Sequence, residues 1–192
     1  MTSSLVWALL ERSGLSDVLA ARERGTVPLA SPDVLDVLER ADLLALGAAA
    51  DIVRRRECGP ETRIYVPQPP APGDGLSVIG ETESLRGTAL LRRLATLRLT
   101  GPIALSIVVD FGAVGLPIGQ LALSFGATDL AGPIASRRGL PVIAEDKKRM
   151  IKRREIAGYV ERAGFRPVFV SRETPVDTGE APAPSSRNHA QS

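Results

Sequence analysis

One continuous stretch, residues 103–132, constrains the fold of this chain more than any other. It opens with an apolar, β-branched run over residues 103–109, which predicts a buried strand. One aspartate and two glycines interrupt the run, and a helix is predicted over residues 116–125. A strand, a glycine-containing loop and a helix form one αβ unit, so the stretch predicts an α/β protein with parallel strands.

Helical and extended patterns alternate along the remainder of the chain. Ser31 is predicted to cap a helical segment that starts at Pro32 and stops at Gly59, because serine, proline and glycine are typical of those positions. Gly47 is interpreted as a joint that divides this segment into two helices. The other predicted helices cover residues 5–12, 15–24, 83–98 and 147–163, and the other extended segments cover residues 63–66, 76–79, 141–144 and 165–170.

The predicted fold class is α/β, either a partial (β/α) barrel or an open, mostly parallel sheet with flanking helices. Residues 1–30 are predicted to form N-terminal helices, and residues 31–170 a single α/β domain. Residues 67–75, PQPPAPGDG, are interpreted as a linker or surface loop within that domain, since four prolines and two glycines suit neither a helix nor an inner strand. Residues 171–192 are predicted to be a disordered tail.

The composition limits the nature of the core and of the partners. Hydrophobic residues make up 44% of the chain and aromatic residues only 4%, so aliphatic side chains must fill the core. The formal net charge of +2 gives no general case for a nucleic-acid partner. The basic cluster in residues 147–154 is interpreted as a solvated helix face, with a phosphate- or RNA-binding patch as the alternative.

Cys58 is the only cysteine of the sequence. An internal disulfide and an all-cysteine metal site are therefore impossible within the chain. The N-terminal segment lacks the basic region of a signal peptide, and no run approaches the length of a membrane span. We therefore expect a soluble, cytoplasmic protein that binds no membrane.

Two groups of polar and small residues are candidates for ligand binding. Asp110, Gly112 and Gly115 follow the central strand and precede a helix, which suits a phosphate-binding loop. The spacing is not that of a dinucleotide-binding loop, so a plain βα turn with Asp110 as a cap is the alternative. Thr128 and Asp129 form the next polar turn, where Asp129 either contacts a ligand or caps the turn.

The sequence offers few groups for catalysis. The only histidine, His189, lies in the predicted tail, where it has no fixed position for acid–base chemistry. Cys58 has no histidine partner in a region predicted to be ordered, and no metal site is predicted. The basic triplet at residues 54–56 is interpreted as the polar end of a helix. We therefore predict no catalytic residue.

Several segments resemble the radical-SAM enzymes of the futalosine pathway to menaquinone, namely aminofutalosine synthase and dehypoxanthine futalosine cyclase, which are related to F0 synthase. ADLLALGAAADIVRRRECG at residues 41–59 is similar to the helix before the catalytic core of that family. GQLALSFGATDLAG at residues 119–132 resembles its late-barrel signature, which adds Gln120 to the candidate ligand residues and implies that Asp129 lies at the mouth of a barrel. Residues 83–98 and 155–167 are similar to its late helices.

The departure from the family pattern has a chemical consequence. The resemblance implies a family that uses S-adenosylmethionine and a [4Fe–4S] cluster held by Cys-x-x-x-Cys-x-x-Cys after the first barrel strand. Here residues 67–75 occupy that place and contain no cysteine. Because cluster ligation needs several thiolates, we expect neither cofactor in this chain alone and no self-contained radical-SAM activity.

Four hypotheses for function follow. The first is a truncated, non-catalytic relative of these enzymes that acts as a partner or regulatory subunit, either as a homo-oligomer or bound to a full-length radical-SAM relative. The second is a binding protein for a nucleoside or phosphorylated ligand that uses the strand-end glycine loop. The third is an enzyme whose metal or thiolates come from another chain, and the fourth is a gene remnant without function.

Overall fold

The computed structural model describes residues 4–25, 30–66, 76–79, 87–134 and 151–171, with the backbone alone for residues 76–79 and 171. Its helices are α1 (Ser4–Arg12), α2 (Leu15–Arg24), α3 (Pro32–Arg40), α4 (Leu43–Cys58), α5 (Gly87–Thr100), α6 (Phe111–Val114), α7 (Leu116–Leu123) and α8 (Arg153–Arg162). Its strands are β1 (Glu61–Val66), β2 (Leu76–Ile79), β3 (Ser106–Asp110), β4 (Asp129–Ala131) and β5 (Arg166–Ser171). The predicted linker over residues 67–75, the extended segment 141–144 and residues 172–192 of the predicted tail lie outside the described residues.

All five strands pair in parallel, in the order β2-β3-β4-β1-β5. β1 therefore lies between β4 and β5, and Arg63 is aligned with Asp129 on one side and with Val168 on the other. The predicted α/β fold, with a parallel sheet and flanking helices, is confirmed.

The two faces of the sheet have different surroundings. Alternate strand residues such as Ile64, Ile107 and Leu130 belong to one large core that also contains buried residues of α1, α2, α4, α5, α7 and α8. The intervening residues Tyr65 and Val108 point to the opposite face, since successive strand side chains alternate. Among the described residues, the apolar cluster on that opposite face consists only of strand residues. The described helices therefore pack on one face of the sheet.

The boundary between α3 and α4 corrects the prediction of a joint at Gly47. The chain turns instead at Asp42, whose carboxylate accepts hydrogen bonds from the amides of Leu44 and Ala45 and so caps α4. Gly47 lies inside α4 and is buried. A Cβ at this position would lie 2.9 Å from the ring of Phe125, so the glycine allows close packing and does not divide the helix.

Other predicted elements are present with shifted bounds. The helix predicted over residues 116–125 is α7, which ends two residues earlier, at Leu123. The short helix α6 was not predicted, and Gly115, with a φ of 84°, ends it and precedes α7. The helix predicted over residues 147–163 begins later than expected within the described residues. There, from residue 151 on, α8 starts only at Arg153. Ile151 instead pairs with Ile134 in an isolated parallel bridge.

Candidate functional site

The glycine loop after β3 uses its own amides internally. Asp110 accepts a hydrogen bond of 2.8 Å from the amide of Gly112 and so caps the short helix α6. The amide of Gly115 donates to the carbonyl of Phe111, and the amide of Gly119 donates to that of Gly115. These amides therefore already have partners, which fits the plain βα turn that was the alternative to a phosphate-binding loop.

A charged cluster lies at the opposite, amino edge of the sheet. Arg63 of β1 donates from Nε and Nη2 to the two carboxylate oxygens of Asp129 in β4, at 2.7 and 2.8 Å. Ser106 of β3 and Thr128 donate to the same carboxylate. Asp129 is only 1% exposed, whereas the side chain of Arg63 is 45% exposed. The carboxylate is thus buried beneath its partner, and this pairing raises the pKa of Arg63.

Thr128 connects this cluster to the backbone of the neighbouring strand. Its hydroxyl accepts a hydrogen bond of 2.8 Å from the amide of Ile107, and its own amide donates to the carbonyl of Ile107. The residue before β4 is therefore held against β3 by both its side chain and its main chain. These two contacts hold the adjacent residue, Asp129, in position within the cluster.

A pocket of about 250 Å³ opens beside this cluster. Its walls come from the amino ends of β1, β3 and β4, from the end of α4 and from the loop before β3. The lining residues are Cys58, Glu61, Arg63, Ala104, Ser106, Thr128 and Asp129. Burial raises the pKa of the Cys58 thiol and outweighs the opposing influence of Arg98 and Arg54, so the thiol is protonated at neutral pH.

Two fully buried arginines, Arg54 and Arg98, act on the charge of the pocket residue Cys58. Arg54 donates to the carbonyls of Ala127, Gly59 and Glu61 and to the hydroxyl of Thr62, at 2.8–3.1 Å. It also stacks on the ring of Phe165, 3.6 Å from the ring centre. Burial lowers its pKa to about 10, at which the guanidinium is still charged at neutral pH. The interpretation of Arg54 as part of a polar helix end was therefore wrong.

Arg98 of α5 is 1% exposed and donates to the carbonyls of Gly126 and Leu105, at 2.9 and 2.6 Å. Its Nη1 is buried and has no hydrogen-bond partner. Burial lowers the pKa of Arg98, and the groups that act on its charge include Cys58 and Asp129, both of which line the pocket.

A third buried arginine holds the loop before β3. Arg22 of α2 pairs through two nitrogens with Glu57, at 2.7 and 2.9 Å, and donates to the carbonyl of Leu99. Glu57 in turn accepts from the amide of Ala104, which has a positive φ of 54°. Burial alone would raise the pKa of Glu57, but the hydrogen bonds from Arg22 and Ala104 outweigh it and lower the pKa.

The structure divides the predicted site residues between two edges of the sheet. Asp110, Gly112 and Gly115 lie at the carboxyl edge, and Gln120 lies half-buried in α7. Thr128 and Asp129 lie at the amino edge. Asp129 is aligned with Val108, two residues before Asp110, which corresponds to roughly 7 Å along the strand. Asp129 therefore begins its strand and does not lie at the carboxyl edge that a barrel mouth requires.

Sequence reasoning missed the groups that complete the amino-edge site. Neither Arg63 nor Ser106 belongs to a recognisable motif. Arg63 is the first residue of a predicted strand, Ser106 is the first residue of β3, and both strands lie next to polar turns. Arg98 belonged to no motif either, and Arg92 of the same helix donates to the carbonyls of Leu38 and Ala41. The sequence held only an indirect indication that Arg98 is buried, namely its position after the apolar stripe of α5, in the last turn of that helix.

The donor set does not fit the iron–sulfur cluster that the resemblance implies. The sequence has one cysteine, and Cys58 precedes β1 at the amino edge, whereas the family's cysteines follow the first strand. Within the described residues no group of three or more metal-ligating side chains occurs. Nor is any helix in the described ranges long and apolar enough to cross a bilayer.

Comparisons with protein-family models, with curated proteins and with solved structures found no match to this chain.

Proposed function

We propose that this chain is a truncated, non-catalytic relative of the futalosine-pathway radical-SAM enzymes that acts in the cytoplasm as a partner or regulatory subunit linked to menaquinone biosynthesis. The observation that carries the proposal is the position of β1 between β4 and β5. The family is proposed from the sequence resemblance. The strand order is an independent physical argument for a shortened barrel.

The strand order supports the proposal because a closed barrel brings its last strand next to its first. The late-barrel signature of the resemblance ends in β4, and β4 pairs with β1, with Ile64 aligned to Leu130. The order β2-β3-β4-β1 is therefore the order that the last strands and the first strand of a barrel would have. β5 pairs with the free edge of β1, which is where the second strand of a complete barrel would lie.

The placement of the helices supports the same interpretation. In a (β/α) barrel every helix lies outside the sheet, whereas a doubly wound sheet carries helices on both faces. The described helices of this chain share one core with one face of the sheet. The opposite face, which would line the barrel interior, carries Arg63, Ser106 and Asp129 near one edge and Tyr65 and Val108 further along.

The non-catalytic part of the proposal depends on chemistry. A [4Fe–4S] cluster needs several thiolates, and the sequence contains a single cysteine. Radical chemistry would thus require thiolates from a second chain. A role as a subunit is the interpretation that needs the fewest further assumptions. A sheet that does not close also leaves strand edges and an inner face for a partner to cover, either a second copy of this chain or a full-length relative.

An anaerobic pull-down of the tagged chain from its native host tests the proposal, with mass spectrometry and iron analysis of the eluate. We expect recovery of a full-length radical-SAM relative together with iron. Recovery of the chain without such a relative and as a monomer would overturn the subunit role.

A pair of variants makes this experiment specific to the inner face. Val168 lies in register with Arg63 on that face, so V168D should abolish recovery of the relative or self-association. Leu44, which is 73% exposed on α4, provides the control, and L44D should leave recovery unchanged. Equal loss in both variants would place the contact elsewhere and contradict an inner-face interface.

A further inference from the structure

We propose that Pro167 keeps the free edge of β5, the side that faces away from β1, from pairing with the same edge of a second copy of this chain. The inference concerns this edge alone and does not rest on the proposed subunit role. Within the described residues, β5 lies at one end of the strand order and pairs only with β1. An unpaired strand edge is a template for another chain, and proteins often block such an edge with proline.

The residues that follow Pro167 favour strand pairing. Val168, Phe169 and Val170 are consecutive residues of high β propensity, and all three are only half-buried. Apolar segments of this kind associate with one another when their edge is free and no proline or charge interrupts them. The free edge of β5 therefore needs a feature that opposes pairing.

The register of β5 on β1 shows which backbone groups face the free edge. The amide of Arg166 donates a hydrogen bond of 2.9 Å to the carbonyl of Pro60, and Arg166 is aligned with Glu61. In a parallel ladder, alternate residues of one strand direct their N–H and C=O groups toward the same neighbour. Arg166 and the residues two and four positions later thus bond to β1, whereas Pro167, Phe169 and Ser171 direct their backbone groups away from it.

Pro167 therefore removes a donor from the free edge without weakening the sheet. Proline has no N–H, and its ring occupies the space that the hydrogen would leave for an incoming carbonyl. Phe169 and Ser171 carry the two outward amides that remain in β5. A strand that adds to this edge would lose the first of three regularly spaced hydrogen bonds, while the ladder between β1 and β5 keeps all of its own donors.

Sedimentation velocity of the full chain over a range of concentrations tests the proposal. P167V returns the outward N–H on a residue of high β propensity. In a two-fold pair of copies the restored donor counts twice, so self-association should begin at a concentration about tenfold lower than in the wild type.

A second variant keeps the test independent of the side chain. P167A restores the same N–H on a smaller residue and should shift association in the same direction as P167V. Circular dichroism verifies that both variants are folded. Association equal to that of the wild type in the folded variants would overturn the proposal, and so would failure of both to fold, since Pro167 would then serve folding.

Two controls show whether the effect arises at the edge. The double variant P167V/S171P removes another outward donor of β5, which returns the number of donors to that of the wild type, and should reverse the gain in association. P117A replaces an exposed proline at the start of α7 and should behave like the wild type. Persistence of the gain in the double variant, or an equal gain in P117A, would contradict the assignment to the edge of β5. This readout is separate from recovery of a relative in the pull-down, so either proposal can fail without the other.

Discussion

Arg63 and Asp129 join the first and fourth strands of the sheet through a two-pronged ion pair in which the carboxylate is buried and the guanidinium is half exposed. The two residues are 66 positions apart in the chain, yet they are direct partners in the register of β1 and β4. The pair therefore holds together the strand contact on which the proposed function rests, and its unequal burial has consequences that mutation can measure.

Removal of Arg63 should cost more stability than removal of the charge of Asp129. R63M leaves a buried carboxylate without its cation and should lower the free energy of unfolding by about 2 kcal/mol at pH 8, less than for a fully buried pair because Arg63 is half exposed. D129N leaves a guanidinium that water can solvate and should cost about 1 kcal/mol. Urea denaturation measures both values, and a larger loss in D129N than in R63M would contradict the assigned burial.

The pair of Arg22 and Glu57 should make stability fall in acid. The pKa of Glu57 is lowered in the folded state, so its contribution is fully present above the unfolded value, about 4.3, and is lost as the pH falls through the folded pKa. E57Q should therefore differ most from the wild type at neutral pH, and the two should converge below pH 4.3. Denaturation curves across this range provide the measurement, and a difference that is constant with pH would refute it.

Two glycine substitutions within helices should have opposite effects. G47A places a methyl group 2.9 Å from the ring of Phe125 in the core and should destabilise the protein by about 1–3 kcal/mol. G158A in α8 approaches only the flexible end of Arg162, at 3.3 Å, and should stabilise it by about 0.5–1 kcal/mol. Thermal unfolding of the two variants provides a matched comparison, in which a stabilising G47A would refute the packing role.

The positive φ of Ala104 predicts a gain on substitution by glycine. Ala104 has a φ of 54° and its amide is held by Glu57, so A104G should relieve about 1 kcal/mol of backbone strain. A157G within α8 should instead cost about 1 kcal/mol, because its backbone is helical. A loss of stability in A104G comparable to that in A157G would show that the loop is not strained.

Local patterns in the sequence predicted the elements that depend on neighbouring residues. Ser31 and Pro32 begin α3 as expected, and its serine side chain accepts from the amide of Val34. The apolar run before Asp110 forms β3, and Asp110 caps the turn that follows. These features succeed because caps, turns and apolar periodicity act within a few residues of the chain.

The candidate site depended on contacts that no local pattern reports. Arg54 was expected at the polar end of a helix and Arg98 belonged to no motif, but carbonyl groups of Ala127 and Gly126, distant in the chain, allow both arginines to be buried. The sequence by itself determined that the chain is α/β, has an aliphatic core and lacks thiolates for a cluster. Only the tertiary structure decided that Asp129 meets Arg63 at the amino edge, because strand order and register are set by crossovers and by the packing of whole elements.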